Sequence, residues 1–219
     1  MPGLLKVGLT GGIACGRTTV AGILAGPGRL ILDADAVAHS LTENGGSAVE
    51  AIVAEFGCGV LEPSGGISRP SLARIVFADE RARRRLERIL HPLILGAIDA
   101  EIGTFAARHR DAIAIVDAAL MVETGTYRRY HRLVVAHCPP GVQKERLMRR
   151  DGLAAEEAES RIAAQSPLQR KIDLADYLID TGGTMDQTKE NTLRVAAMLE
   201  EDLGALPDLA PRRRGAAAC

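Results

Sequence analysis

A glycine-rich stretch near the start of the chain, Gly8-Leu-Thr-Gly-Gly-Ile-Ala-Cys-Gly-Arg-Thr-Thr19, departs at one position from the phosphate-cradling pattern G-x-x-x-x-G-K-[ST]: Arg17 stands where the pattern has lysine. Gly11, Gly12 and Gly16 permit positive φ and let backbone approach an anion closely, so N–H groups from Gly12 through Ala14, Cys15 and Gly16 can converge on phosphate. Thr18 and Thr19 are expected to open a helix whose N-terminal partial charge favours the same ligand. Cys15 reads two ways, as a thiol acidified by that helix or as a small residue filling the loop. A second set of side chains is acidic: Asp33, Asp35, Asp117 and Asp180 each come just after an apolar run. A third is basic. Lys144, Arg146, Arg149 and Arg150 precede Asp151-Gly152, and Arg161 follows, which suits either a lid that closes on a triphosphate or a solvent-exposed helix face.

These residues need a frame that brings them to one edge. Five apolar runs supply one: Leu4 to Val7, Arg29 to Leu32, Ala112 to Val116, Leu133 to Ala136 and Tyr177 to Ile179. Each is continuous rather than alternating, as in parallel strands buried on both faces, and helical patterns separate them. The reading is a doubly wound α/β fold, whose ligands bind beyond the carboxyl ends of the strands. The stretch from Asp35 to Arg110 is too long for a simple crossover and reads as a mostly helical insertion broken at Gly57 to Gly66. Within it Arg81, Arg84, Arg85 and Arg88 recur at helical spacing opposite Leu86, Ile89 and Leu90, which gives a solvated face or an anion-binding one. Thr184-x-x-Gln187 has the form of a capping box ahead of a closing helix with Val195, Met198, Leu199 and Leu203 on one face. Pro207 to Cys219 carries too few core residues to fold and is expected to be disordered.

A formal net charge of -1 offers no overall field for nucleic acid or an anionic membrane, and 3% aromatic residues leave few platforms for stacking bases, so neither partner is expected. There is no uninterrupted run of 18 apolar residues and no secretion signal, so a cytoplasmic protein is expected. Cys15, Cys58, Cys138 and Cys219 are scattered without metal-ligand spacing or a disulfide framework.

With Asp33-Ala-Asp35 and His39 read after the loop, the chain resembles the dephospho-coenzyme A kinase family. The likeness runs through Gly66-Ile-Ser-Arg-Pro-Ser-Leu72, Val76-Phe77, Leu86-Glu-Arg-Ile-Leu-His-Pro-Leu-Ile94 and Asp117-Ala-Ala-Leu-Met-Val-Glu-Thr-Gly125. It continues in Arg161-Ile-Ala-Ala-Gln-Ser-Pro-Leu-Gln-Arg-Lys171 and Ala175-Asp-Tyr-Leu-Ile-Asp180. The resemblance implies a P-loop kinase with a five-stranded parallel sheet, a helical substrate-binding insertion and a small helical lid. It implies one kinase domain over residues 1–206, with a core of about 1–35, 110–140 and 172–206, an insertion of about 36–109 and a lid of about 141–171. The implied reaction moves the ATP γ-phosphate to the ribose 3′-hydroxyl of dephospho-coenzyme A, with Mg²⁺, in a monomer or small homo-oligomer.

On that resemblance ATP takes Gly12, Ala14, Cys15, Gly16, Arg17, Thr18, Thr19, Arg146 and Arg150, while Thr18 and, through water, Asp117 take Mg²⁺. Asp35 is expected to orient and deprotonate the acceptor, with Asp33, Arg17 and Arg150 as the other catalytic groups and His39, His91 and Arg161 joining the two aspartates at the substrate. From the residues alone other readings stay open: Asp35 as a helix N-cap with Asp33 in a turn, Asp117 as a cap, and His91 as a core or cap histidine. Ala119 replaces the family's usual proline and Thr181-Gly182 its usual Asn-Ser. Two rival functions remain, a P-loop kinase for another small acceptor and a nucleotide-binding protein impaired by Arg17.

Overall fold

The computed structural model describes residues 3–206, so the expected disorder of Pro207 to Cys219 lies outside the described residues. All five apolar runs are strands: β1 (Leu4–Gly11), β2 (Arg29–Asp33), β3 (Ala112–Asp117), β4 (Arg132–His137) and β5 (Tyr177–Asp180). They form one parallel sheet in the order β2-β3-β1-β4-β5. Because the chain builds outward from β1 in both directions, the switch point of the sheet falls at β1, where the glycine-rich loop leaves it.

Two compact units divide the chain, one of residues 1–32 and 105–219, the other of residues 33–104. In the first, Leu5, Val7 and Leu9 of β1 point to one face, where they meet Val20 and Leu24 of α1 (Arg17–Leu24) and Val195 and Leu199 of α9 (Met185–Gly204). On the opposite face a Cβ added at Gly8 would lie 2.5 Å from the Met121 sulfur, so Gly8 makes room for the aromatic and aliphatic packing of Met121, Tyr130 and Leu133. The capping box of α9 is formed reciprocally, Gln187 N–H donating to Thr184 Oγ1 at 3.2 Å and Thr184 N–H to Gln187 Oε1 at 2.8 Å. Met198, expected on the inner face of α9, is instead 38% exposed, and Thr188, Thr192 and Ala196 join Val195 and Leu199 inside. A bidentate ion pair from Arg132 to Asp202, with Tyr177 donating to the same carboxylate at 2.7 Å, ties the end of α9 to β4 and β5.

The same unit holds α6 (Pro140–Asp151), α7 (Ala155–Ala163) and α8 (Leu168–Leu174) between β4 and β5. The second unit comprises α2 (Ala34–Ser40), α3 (Val49–Phe56), α4 (Arg69–Ala78) and most of α5 (Glu80–Arg108), around Ala48, Ile52, Val60, Ile67 and Leu72. By length and composition α5 could cross a membrane, yet its Leu86, Ile89, Leu90 and Leu93 pack against this core. Its arginines Arg81, Arg84 and Arg88 are exposed, and Arg84 pairs with Glu80 at 2.8 Å, as a solvated face requires.

Candidate functional site

The loop after β1 takes its shape only in part from the residues expected. Positive φ falls at Ala14 (59°) and Gly16 (72°), not at Gly11 or Gly12. Those two glycines are required for space: a Cβ at Gly11 would sit 2.4 Å from the Ala136 carbonyl oxygen, and one at Gly12 would sit 2.7 Å from Gln143 Nε2. With Cys15 N–H closing a turn onto Gly12 O at 3.1 Å, left-handed residues alternate along the loop, which turns successive N–H groups into one anion-binding concavity. Gly16 is the N-cap of α1, so the helix opens at Arg17 rather than Thr18. No side chain caps it and its first turn holds no acidic residue, so its first N–H groups remain available to an anion.

This loop forms one wall of a cavity of about 680 Å³, within the range that holds small-molecule ligands. Gly12 to Thr18 line it together with Ala119, Arg146, Arg149, Arg150 and Gln165. The structure therefore gathers most of the expected nucleotide residues in one place, and adds Arg149 and Gln165. Thr19 and Arg161 do not line the cavity. Arg161 is nevertheless tied to it, because it and Arg150 both donate to Asp151, at 3.0 and 2.7 Å. That pairing, Arg150 first, holds the Asp151 carboxyl below its usual range. Arg146 donates to the Thr181 carbonyl at 2.7 Å. Thr181 is buried, its hydroxyl within hydrogen-bond distance of Cys15 O and His137 O, so this departure from Asn supports the loop from beneath.

At the root of the cavity Arg17 forms an ion pair with Asp117, whose carboxylate is buried at the end of β3. Turns rather than a helix follow Asp117, which removes the cap reading for this residue. Cys15 is also buried, with its Sγ 3.4 Å from that of Cys138. The shared hydrogen bond, reinforced by burial, pushes the Cys15 thiol up, while the same bond, helped by the Arg146 charge and against burial, brings that of Cys138 down to about 7, so the acidified thiol of the pair is not the one in the loop. Sequence reasoning missed Cys138 as it missed Gln143, Gln165 and Lys171, since each acts across more than 100 residues. Gln143 donates to Ile13 O at 2.8 Å and Gln165 accepts from Ile13 N at 2.9 Å, so two glutamines satisfy both backbone groups of one loop residue. Gln165 and Lys171 do stand inside the Arg161 to Lys171 segment that carried the resemblance, which was the signal available for them.

The remaining expected residues belong to the second unit. Asp33 closes β2 and is the N-cap of α2, its Oδ1 accepting from Asp35 N at 2.8 Å and Ala36 N at 3.2 Å. The cap is thus Asp33 and not Asp35, which sits exposed in the first turn. His39 is exposed and pairs with Glu43 at 3.1 Å, and His91 is exposed on α5 beside Pro92, which excludes a core histidine.

A family model described as dephospho-CoA kinase matches residues 5–187. A dephospho-CoA kinase of Symbiobacterium thermophilum is 43% identical over 84% of this chain and 76% of its own length. That of Aquifex aeolicus is 38% identical over 90% and 98%. Among solved structures, a protein from Thermus thermophilus superposes with a TM-score of 0.77 at 28% identity, covering 90% of this chain and 97% of its own. The fold is shared with a dephospho-CoA kinase from Campylobacter jejuni, TM-score 0.62 at 22% identity, over 90% and 98% of the two chains.

Proposed function

The chain belongs to the dephospho-CoA kinase family, and from that premise we propose how its own residues divide the transfer of the ATP γ-phosphate to the ribose 3′-hydroxyl of dephospho-CoA. The observation that carries the proposal is the cavity in which an anion-shaped loop, an uncapped helix N-terminus and four arginines converge. Phosphoryl transfer passes through a loose transition state, so catalysis consists chiefly of positioning and charge neutralisation, and the cavity offers both. N–H groups of Ala14 to Thr19 hold the α- and β-phosphates, with Gly12 giving close access. Arg17 reaches the β- and γ-phosphates, and Arg146 and Arg150 bring charge from α6.

Asp35 orients and deprotonates the acceptor hydroxyl. Both carboxylates are exposed, but that of Asp33 is already engaged as the α2 cap, which leaves Asp35 as the uncommitted one of the pair. Asp33 then keeps Asp35 in place by accepting from its backbone N–H, and His39, His91 and Arg161 contact the coenzyme. The exposed Thr18 hydroxyl and the Asp117 carboxylate form an oxygen-only set that fits a hard divalent cation, Asp117 through water. Held there, Mg²⁺ would supply charge neutralisation to the nucleotide phosphates. The family match favours neither a kinase for another acceptor nor a silenced nucleotide binder.

A coupled ADP-release assay with and without dephospho-CoA tests the reading, with product identity read by mass and by 3′-phosphate position. ADP release that depends on dephospho-CoA is expected. Release that another alcohol supports better, or none at all, would overturn it.

A further inference from the structure

Lys171 is a charged side chain with 0% exposure, in a part of the molecule that could hold an aliphatic residue. Burying an ammonium is costly unless each of its donors is met and a counter-charge is near. Here both conditions are met. The Nζ donates to Ala119 O at 2.8 Å and to Gly11 O at 3.2 Å, and pairs with Glu123 Oε1 at 3.0 Å, so three donors meet three acceptors. The acceptors come from two segments: Gly11 is the last residue of β1 and the start of the phosphate loop, while Ala119 and Glu123 both lie in the turn after Asp117. Glu123 also accepts from Ser166 N at 3.1 Å, next to Gln165, which holds Ile13 N.

We propose that Lys171 is a positioning residue for the phosphate loop, fixing the root of the loop at Gly11 against the Asp117 turn so that the loop N–H groups and Arg17 stand at the right height for nucleotide. The inference rests on the reading of this loop as the ATP site. Through Glu123, Ser166 and Gln165 the same ammonium reaches the far side of the loop at Ile13, so one charge holds both its root and its crest. It also places a second cation beneath the loop, close enough to Arg17 and Glu123 to feel both charges.

A purely structural lysine and a positioning one differ in what replacement should do. Removing one partner of a buried ion pair is destabilising, although Glu123, partly exposed, can be solvated when left alone. Lys171→Met is therefore expected to remain folded with a lowered melting temperature. It should also bind a fluorescent ATP analogue at least tenfold more weakly and raise KM for ATP, with KM for dephospho-CoA changed less than twofold. Glu123→Gln, which keeps the ammonium but removes its counter-charge, should shift the ATP constants in the same direction by a smaller factor. It serves as the measurement if Lys171→Met does not fold. A lowered melting temperature with natural ATP affinity in the folded protein would overturn the proposal, as would equal losses toward ATP and dephospho-CoA, or unchanged ATP constants in Glu123→Gln should Lys171→Met not fold. Failure of the natural protein itself to bind the analogue would overturn the ATP reading, and this inference with it.

Discussion

Arg17 already holds the Asp117 carboxylate, so its guanidinium must serve that anion and a phosphate from one planar fork. A lysine ammonium is smaller and turns freely, and placing charge wrongly by about 1 Å can cost on the order of 10²-fold in rate. Arg17→Lys is therefore expected to raise kcat, by about tenfold or more, with the natural protein active but slow. Steady-state kinetics on both proteins checks this, and an equal or lower kcat in the lysine variant would show that the arginine is accommodated. At this scale the sequence disclosed which residue types matter but not what each does. The motif named Gly11, Gly12 and Gly16, yet only Gly16 adopts positive φ, because the other two are dictated by Ala136 and Gln143, which a one-dimensional pattern does not contain. Asp33 and Asp35 were likewise legible as a pair, while the cap that separates their roles depends on where α2 begins.

Elements were more legible than contacts between them. The five strands stood out because a strand buried on both faces must be apolar throughout, and all five fell where continuous runs lay. The inner face of α9 excludes Met198 and takes in Thr188 and Thr192; the Thr192 hydroxyl, polar by type, is satisfied within the helix, its Oγ1 donating to Thr188 O at 2.7 Å. The bond that anchors this helix, Arg132 to Asp202, joins residues 70 apart and had no local signal. Its side chains are only 15% and 12% exposed, and leaving a largely buried charge without its partner costs about 3 kcal/mol. Asp202→Ala should accordingly lower the urea midpoint by roughly that free energy while leaving kcat at 25 °C near its natural value, since Asp202 touches no residue of the cavity. Denaturation followed by circular dichroism reads the first quantity, and the ADP assay the second.

For the molecule as a whole, pH acts on stability through a group outside the candidate site. Lys6 N–H donates to His131 Nδ1 at 2.9 Å, which requires a neutral ring with its proton on Nε2. Partial burial, with the Lys6 and Arg132 charges, holds this imidazole below its ordinary 6.5. A depressed value in the folded state means that the contribution to stability is complete above pH 6.5 and is lost as pH falls through the lowered value. Urea midpoints should thus fall below pH 6.5 by at most about 1 kcal/mol, the ring being partly exposed, and less steeply in His131→Gln. An identical slope in the variant would assign the acid sensitivity to other groups. The chain's partition into two units carries a consequence of another kind. Residues 33–104 are one unbroken excursion between β2 and β3, strands that lie side by side in the sheet. Two cuts in a gene suffice to exchange that cassette whole, and neither cut falls in the glycine-rich loop, in Lys171 or in the arginines of α6. Descent can therefore alter one unit by recombination while selection preserves the other by point substitution, so the two are free to carry separate histories.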